Sequence, residues 1–311
     1  MKRLTQRSLD QDTHAPRVSV GMPVYNAARW LDRSIEAILE QTFEDLELVI
    51  SDNASTDESF DIAQRYADKD NRVRLFRNPA NLGVSKNYSR LVQYARGEYF
   101  KWASSNDLCD RTFIEKCVKI LDARSDVSLC CPRTKLFVTD PETGDEYAAG
   151  LQTLDANPLA RFRQVLEHVG LNNTINGLIR MSVLGETGLM RSHYASDVTL
   201  LAEIALRGKL VELPEYLFFR RFDEESATAL QDPVRYRACH FPRPGLAMWF
   251  QTWRQCAGYV SAINCRGLTL PQRALGLAYV AKLWHWALPE LYADVQEVVA
   301  TIAARASRGR R

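Results

Sequence analysis

The chain carries almost no excess charge: 40 Lys and Arg stand against 38 Asp and Glu, a net charge of +2 over 311 residues. That balance removes any general reason to expect nucleic acid as a partner. Its seven cysteines, at 109, 117, 130, 131, 239, 256 and 265, show no paired two-residue spacing of the zinc-binding kind. Several fall inside apolar runs, so buried reduced thiols are expected instead of disulfides, and a cytoplasmic setting with them. Long hydrophobic runs are missing too. The nearest, Ala274 to Leu288, is interrupted by Lys282 and His285 and followed by Pro289, which leaves no transmembrane segment. Residues 1–16 lack the apolar stretch of a signal peptide and read as a polar lead-in. Near the first strand there is no Gly-rich loop with Lys or Arg to cradle phosphates, which weighs against a nucleotidyltransferase.

What is present is an ordinary globular composition, 46% hydrophobic and 25% charged, in a chain long enough for one α/β domain and a smaller appended part. The organising stretch runs from Arg17 to Asp57. Two runs rich in β-branched residues, Val18–Met22 and Leu46–Ile50, flank a segment from Arg29 to Glu40 whose Trp30, Leu31, Ile35, Ile38 and Leu39 recur at helical spacing. That pattern predicts a β-α-β unit with parallel strands and a right-handed crossover. In open sheets of this kind ligands bind past the carboxyl ends of the strands. Here those ends carry Tyr25 and Asn26 after the first strand, and Asp52 and Asn53 after the second. Taken singly, Asn26, Asp52 and Asn53 could equally be turn and cap residues.

The order Pro23-Val24-Tyr25-Asn26, then Ser51-Asp52-Asn53-Ala54-Ser55-Thr56-Asp57, then Asn81-Leu82-Gly83, resembles glycosyltransferase family 2, the inverting nucleotide-sugar transferases of the GT-A fold. The resemblance covers roughly the first three quarters of the chain. It implies an α/β fold: a Rossmann-like, mostly parallel sheet flanked by helices, over residues 17–232, with a nucleotide-binding half (17–110) and an acceptor half (111–232). A helical region (233–311) follows. It also implies that Tyr25 stacks on the base, that Asp52 accepts from the base imide N–H, and that Pro23, Asn26, Asn53 and Ser55 lie nearby. The transmembrane segments of the family's processive synthases are lacking.

Further along, Glu58–Ala67 reads as a helix, Val73–Phe76 as a strand, and Val84–Ala95 as a helix entered through the turn formers Asn78 to Gly83. The resemblance makes Asn81, Lys86 and Asn87 candidates for diphosphate or ribose contacts, with Lys86 where relatives often carry arginine. A solvated helix face is the plainer reading of Lys86. The strand Gly97–Ala103 runs into Ser104-Ser105-Asn106-Asp107, where the family places an acidic cluster that holds a divalent cation against the diphosphate. Here the cluster is thinned to Asn106 and Asp107, so a magnesium or manganese ion is expected to be held weakly, with Asp107 as its carboxylate ligand.

A helix is expected over Thr112–Arg124, strands over Val127–Cys131 and Lys135–Thr139, a polar and irregularly helical stretch over Leu151–Asn173, and a short strand over Ile175–Arg180. Ser196 or Asp197 should open a helix that ends at Gly208, followed by strands from Leu210 to Pro214 and from Tyr216 to Arg221. The family carries an acid where Asp197 stands, and a single displacement at the anomeric carbon needs one carboxylate to take the acceptor proton, so Asp197 is the candidate catalytic base. Helix capping is the competing role. Arg220 and Arg221 are candidate diphosphate anchors. The histidine that relatives place just after them is missing, although the fold could bring His193 or His240 near.

From Pro233 on, Pro244–Ala262 and Pro271–Ala306 read as helices, rich in tryptophan and ending in a basic tail. Such a tail can lie at a membrane periphery. Packing on the main domain or in a homo-oligomer is the favoured reading of its aromatics. Two functions of different class remain: a transferase moving sugar from a UDP- or dTDP-sugar to a hydroxyl or amine of a glycan, lipid-linked or small-molecule acceptor, or a degenerate nucleotide-sugar-binding protein without catalysis.

Overall fold

The computed structural model describes residues 15–223, 241, 248–264 and 267–308. Most of the lead-in, the expected boundary at 232/233, His240, Cys239 and Cys265 lie outside them. The first half is the expected alternation: β1 (Val18–Val24), α1 (Ala28–Leu39), β2 (Leu46–Asp52), α2 (Ser59–Lys69), β3 (Val73–Arg77), α3 (Val84–Tyr94) and β4 (Tyr99–Trp102). Strand β1 lies between β2 and β4, with β3 outside β2, and all three pairings are parallel. Every residue of β1 and β2 is buried, which is why both read as nearly continuous apolar runs: helices cover both faces. Pro23 sits inside β1 at no cost. The carbonyl of Gly21 faces β4, where it accepts from Ala103, and the Val24 carbonyl faces β2, where it accepts from Asn53. Pro23 therefore points to the β4 side, where pairing stops at Gly21.

The second half supplies β5 (Leu108–Cys109), α4 (Phe113–Ala123), β6 (Val127–Phe137), β7 (Asp145–Glu146), α5 (Pro158–His168), β8 (Leu178–Arg180), α6 (Met181–Leu184), α7 (Ser196–Arg207) and β9 (Lys209–Arg221). The nine-stranded sheet runs β3-β2-β1-β4-β8-β6-β9-β5, with β7 beside β6. Antiparallel β8 joins the two halves by pairing with β4 on one side and β6 on the other. One core face holds Val18, Val20, Met22, Phe113 and Phe218. The other holds Phe100, Trp102, Phe162 and most of α7.

Three expectations are corrected. The strands expected at Val127–Cys131 and Lys135–Thr139 are one strand, β6, and those at Leu210–Pro214 and Tyr216–Arg221 are one strand, β9. Each of these strands carries an internal proline, Pro132 in β6 and Pro214 in β9. The paired strands absorb both, because the register jumps from Pro132↔Leu213 to Arg133↔Tyr216 and pushes Pro214 and Glu215 out to solvent as a bulge. The helix expected over Pro271–Ala306 is two helices, α9 (Leu270–Trp286) and α10 (Leu288–Arg308), because Pro289 lacks the N–H that would carry one helix into the next. Helix α8 (Gln251–Ile263) precedes them and packs on α7. No helix among the described residues is long and apolar enough to cross a membrane.

Candidate active site

The carboxyl ends of β1, β2 and β3 are tied into a polar frame. Asn26 adopts a left-handed conformation (φ 49°) and its Oδ1 accepts from the Thr56 amide at 2.8 Å, while its own amide donates to Ser55 Oγ at 3.0 Å. Asp52 accepts from the Ser55 amide at 3.2 Å and pairs with Arg77 Nε at 3.2 Å. Asn53 Oδ1 accepts from Asn78 Nδ2 and the Leu82 amide, and its Nδ2 donates to Asn81 Oδ1 at 2.9 Å. Asn81 Oδ1 also accepts from the Gly83 amide at 2.8 Å. Asn87 Oδ1 accepts from Ser51 Oγ at 2.7 Å and from Asn78 Nδ2 at 2.9 Å.

Burial sorts these residues. Asp52 is 0% exposed, and Pro23, Asn53, Ser55 and Asn87 are buried, whereas Tyr25 is 46% exposed and Asn26 and Lys86 also face solvent. The motif's polar residues are therefore largely the scaffold of the crevice. Tyr25, Asn26 and Lys86 are its exposed members. In this arrangement the carboxylate of Asp52 is engaged by Ser55 and Arg77 instead of standing open to a base edge.

The second half brings distant charges to the same sheet edge. Asp107 is partly buried, and its Oδ1 accepts from the Arg221 amide at 2.9 Å. Burial pushes its carboxyl pKa up, opposed by the charge of Arg220. Arg220 is held by Leu171 O at 2.5 Å and Asn173 Oδ1 at 2.6 Å. The residue between those two, Asn172, adopts a left-handed conformation (φ 50°) and its Nδ2 donates to Asp197 Oδ2 at 2.8 Å. One short segment thus fixes both an arginine and a carboxylate. Burial above all holds the hydroxyl of Tyr88 on α3 protonated, with the charges of Asp107 and Asp197 adding to the shift and that of Arg220 opposing it.

Asp197 does not cap its helix. The cap position falls to Ala195, which makes no side-chain bond, and Asp197 stands in the first turn. Of the two candidate arginines only Arg220 faces this cluster. Arg221 is buried, its guanidinium lies 4.2 Å from the Trp30 ring centre, and it pairs with Asp223. His193 comes near: its imidazole feels Asp197, but it is buried, and burial lowers its pKa. Among the described residues no three His, Cys, Asp or Glu side chains cluster to hold a metal. One carboxylate, Asp107, with the partly buried Asn106 beside it, still fits a hard cation held mainly by substrate phosphates and water.

Sequence reasoning missed Tyr88 and Asn172. Their roles come from contacts across the fold, and only the left-handed asparagine carries a local signal.

A parallel α/β half with a polar crevice at its strand ends, continued by a mixed half that returns acid and arginine to the same edge, is the layout of the GT-A fold. The chain belongs to glycosyl transferase family 2, whose sequence model matches residues 19–192. It is similar to two uncharacterized glycosyltransferases of Haemophilus influenzae. One is 37% identical over 101 residues, covering 32% of this chain and 40% of that protein. The other is 27% identical over 212 residues, covering 66% and 65%. The chain thus spans less than two thirds of either relative. Among solved structures, Staphylococcus aureus TarS residues 1–349 in complex with UDP share the fold with a TM-score of 0.59 at 14% identity, over 85% of this chain and 70% of that one. The mannosyltransferase PcManGT of Pyrobaculum calidifontis, in complex with GDP-Man and Mn2+, does so with a TM-score of 0.54 at 18% identity, over 96% and 80%.

Proposed function

We propose that the protein is an inverting glycosyltransferase that moves a sugar from a nucleoside-diphosphate donor, a UDP- or dTDP-sugar, to a hydroxyl or amine acceptor. The observation that carries this reading is that segment 171–173 holds both Arg220, through the Leu171 carbonyl and Asn173 Oδ1, and Asp197, through Asn172 Nδ2, while the amide of Arg221, the residue after Arg220, holds Asp107. Transfer needs a positive charge where the diphosphate departs and a carboxylate where the acceptor loses its proton. Arg220 answers the first need. Asp197, oriented by Asn172, answers the second. Tyr25 offers an exposed ring to a base, and Lys86 a flexible charge to the diphosphate. Asp107, with Asn106, is the residue that would hold a divalent cation, which supplies further neutralising charge to the leaving group when bound. The TarS complex with UDP and the PcManGT complex with GDP-Man and Mn2+ support a nucleotide-sugar donor and a cation of this kind.

Asp197→Asn keeps the shape and the bond from Asn172. Turnover is expected to fall by roughly two to four orders of magnitude while donor affinity, read by calorimetry, stays close to wild type. Near-normal turnover in the folded variant removes Asp197 as the base. The thinned metal position supports one other reading, a nucleotide-sugar-binding protein without catalysis. Nucleotide binding with no turnover for any donor and acceptor pair would establish it.

A further inference from the structure

Helix α7 starts without a side-chain cap, and its cap residue, Ala195, is left-handed at φ 49°, a conformation that a residue with a Cβ keeps only where its surroundings hold it. The hold falls on the residue before. Tyr194 is gripped at both ends of its backbone: its amide donates at 3.0 Å to Oε1 of Gln251, the first residue of α8, and its carbonyl lies 2.7 Å from Nδ1 of His193. A carbonyl can only accept, so Nδ1 carries the proton and Nε2 is bare. Gln251 is 3% exposed and His193 5%, and Nε2 is turned to α8 at Gly258, where an added Cβ would stand 3.2 Å from it and 3.1 Å from Thr199 Cγ2 of α7. Only a residue without a side chain lets the two helices meet this closely. The family match ends at residue 192, so this clamp and Asp197 itself both lie beyond it.

We propose that Gln251 and His193 are positioning residues for Asp197, through which the C-terminal helix α8 completes the acceptor side of the site; the proposal rests on Asp197 as the base. Asp197 stands three residues after Tyr194, and the turn between them is tight, because the Ala195 carbonyl accepts from the amides of Val198 and Thr199, each at 3.1 Å. A shift of Tyr194 therefore moves the start of α7 and the carboxylate with it. Asn172 holds the carboxylate itself, at Oδ2, while the clamp on Tyr194 sets where its backbone begins. A base displaced by about 1 Å from the acceptor hydroxyl loses on the order of a hundredfold in rate, so small changes at the clamp should be read in turnover. Donor binding should not feel them.

The test uses the full chain. Gln251→Leu removes the acceptor oxygen, and turnover at saturating donor and acceptor should fall roughly ten- to a hundredfold, with donor affinity by calorimetry unchanged. Gln251→Glu should recover most of the loss, since it restores an acceptor oxygen at a helix start that favours negative charge. In the Asp197→Asn background, Gln251→Leu should cost almost nothing more, because the carboxylate it positions is gone. Equal losses in both backgrounds overturn the proposal, as does full turnover in a folded Gln251→Leu. Near-normal turnover in Asp197→Asn alone is a different result, and it removes the base reading. One measurement needs no variant: hydrogen exchange of the Tyr194 amide in wild type should be as slow as that of the α7 interior. Free exchange at Tyr194 would show that no clamp exists, and overturns the proposal even if Gln251→Leu fails to fold.

Discussion

Asn87 shows how one buried amide can brace two strand ends. Its oxygen takes both Ser51 Oγ and Asn78 Nδ2, and its nitrogen donates to the Ser51 carbonyl at 3.0 Å. Asn87→Ala strands those three partners in the interior, so it should destabilise the fold by roughly 3 kcal/mol, read by urea denaturation. A loss within experimental noise would mean that water restores the network. His193 tests the second half of the site. Burial depresses its pKa, so the unfolded chain binds this proton more readily than the folded one. Its contribution to stability is therefore present above the ordinary histidine range near ~6.5 and is lost as pH falls through it. Melting temperature should drop with acidification there, and His193→Gln should flatten that part of the curve; an identical slope in the variant would show that other groups set it. At this scale the sequence was legible in identity but not in exposure. Asp52, expected at the base edge, is buried and paired with Arg77, a bracing role that the same local sequence serves as readily as base reading.

Strands and helices were legible wherever one local pattern decided them, as in β1, α1, β2 and α7. They were misread where long-range pairing overrode a proline, as along β6 and β9, since a bulge costs little once two strands are held side by side. The entry to α3 is a case where local chemistry did decide. Gly83, the cap residue, has φ 83° and ψ 163°, a region essentially closed to residues with a Cβ. The Gly83 carbonyl accepts from the Asn87 amide, and the Gly83 amide reaches back to Asn81. Gly83→Ala should cost about 1–3 kcal/mol and displace the loop from Asn81 to Lys86, weakening donor binding as well as lowering the melting temperature. A variant less stable but with full donor affinity would mean that the loop does not touch the donor.

Across the whole molecule, the parallel half was legible because each β-α-β unit is a local pattern. The meeting of Asp107 with Asp197 and Arg220 was legible only through the family resemblance, since it depends on β8 joining two sheet halves that the sequence does not show as neighbours. A donor that binds as proposed would span that join, so its binding should register as global stability. A ligand that binds only the folded state adds RT ln(1 + [L]/Kd), about 2.7 kcal/mol at a hundredfold excess over Kd. At ~2–4 °C per kcal/mol for a domain of this class, the correct nucleotide sugar should raise the melting temperature by roughly 5–10 °C. UDP- or dTDP-sugars are expected to do so and purine nucleotides are not; equal shifts for every base would remove nucleobase selectivity from the crevice. The cation enters the same measurement. A hard ion resting on one carboxylate draws most of its ligands from the diphosphate, so magnesium or manganese should add little to the apoprotein and more once donor is bound. Asp107→Ala should erase that extra increment and leave the metal-free donor shift in place. Should chelator change neither donor shift nor turnover in wild type, the leaving group is neutralised by Arg220 and Lys86 without an ion, and the thinned cluster at Asn106 and Asp107 is no cation site at all.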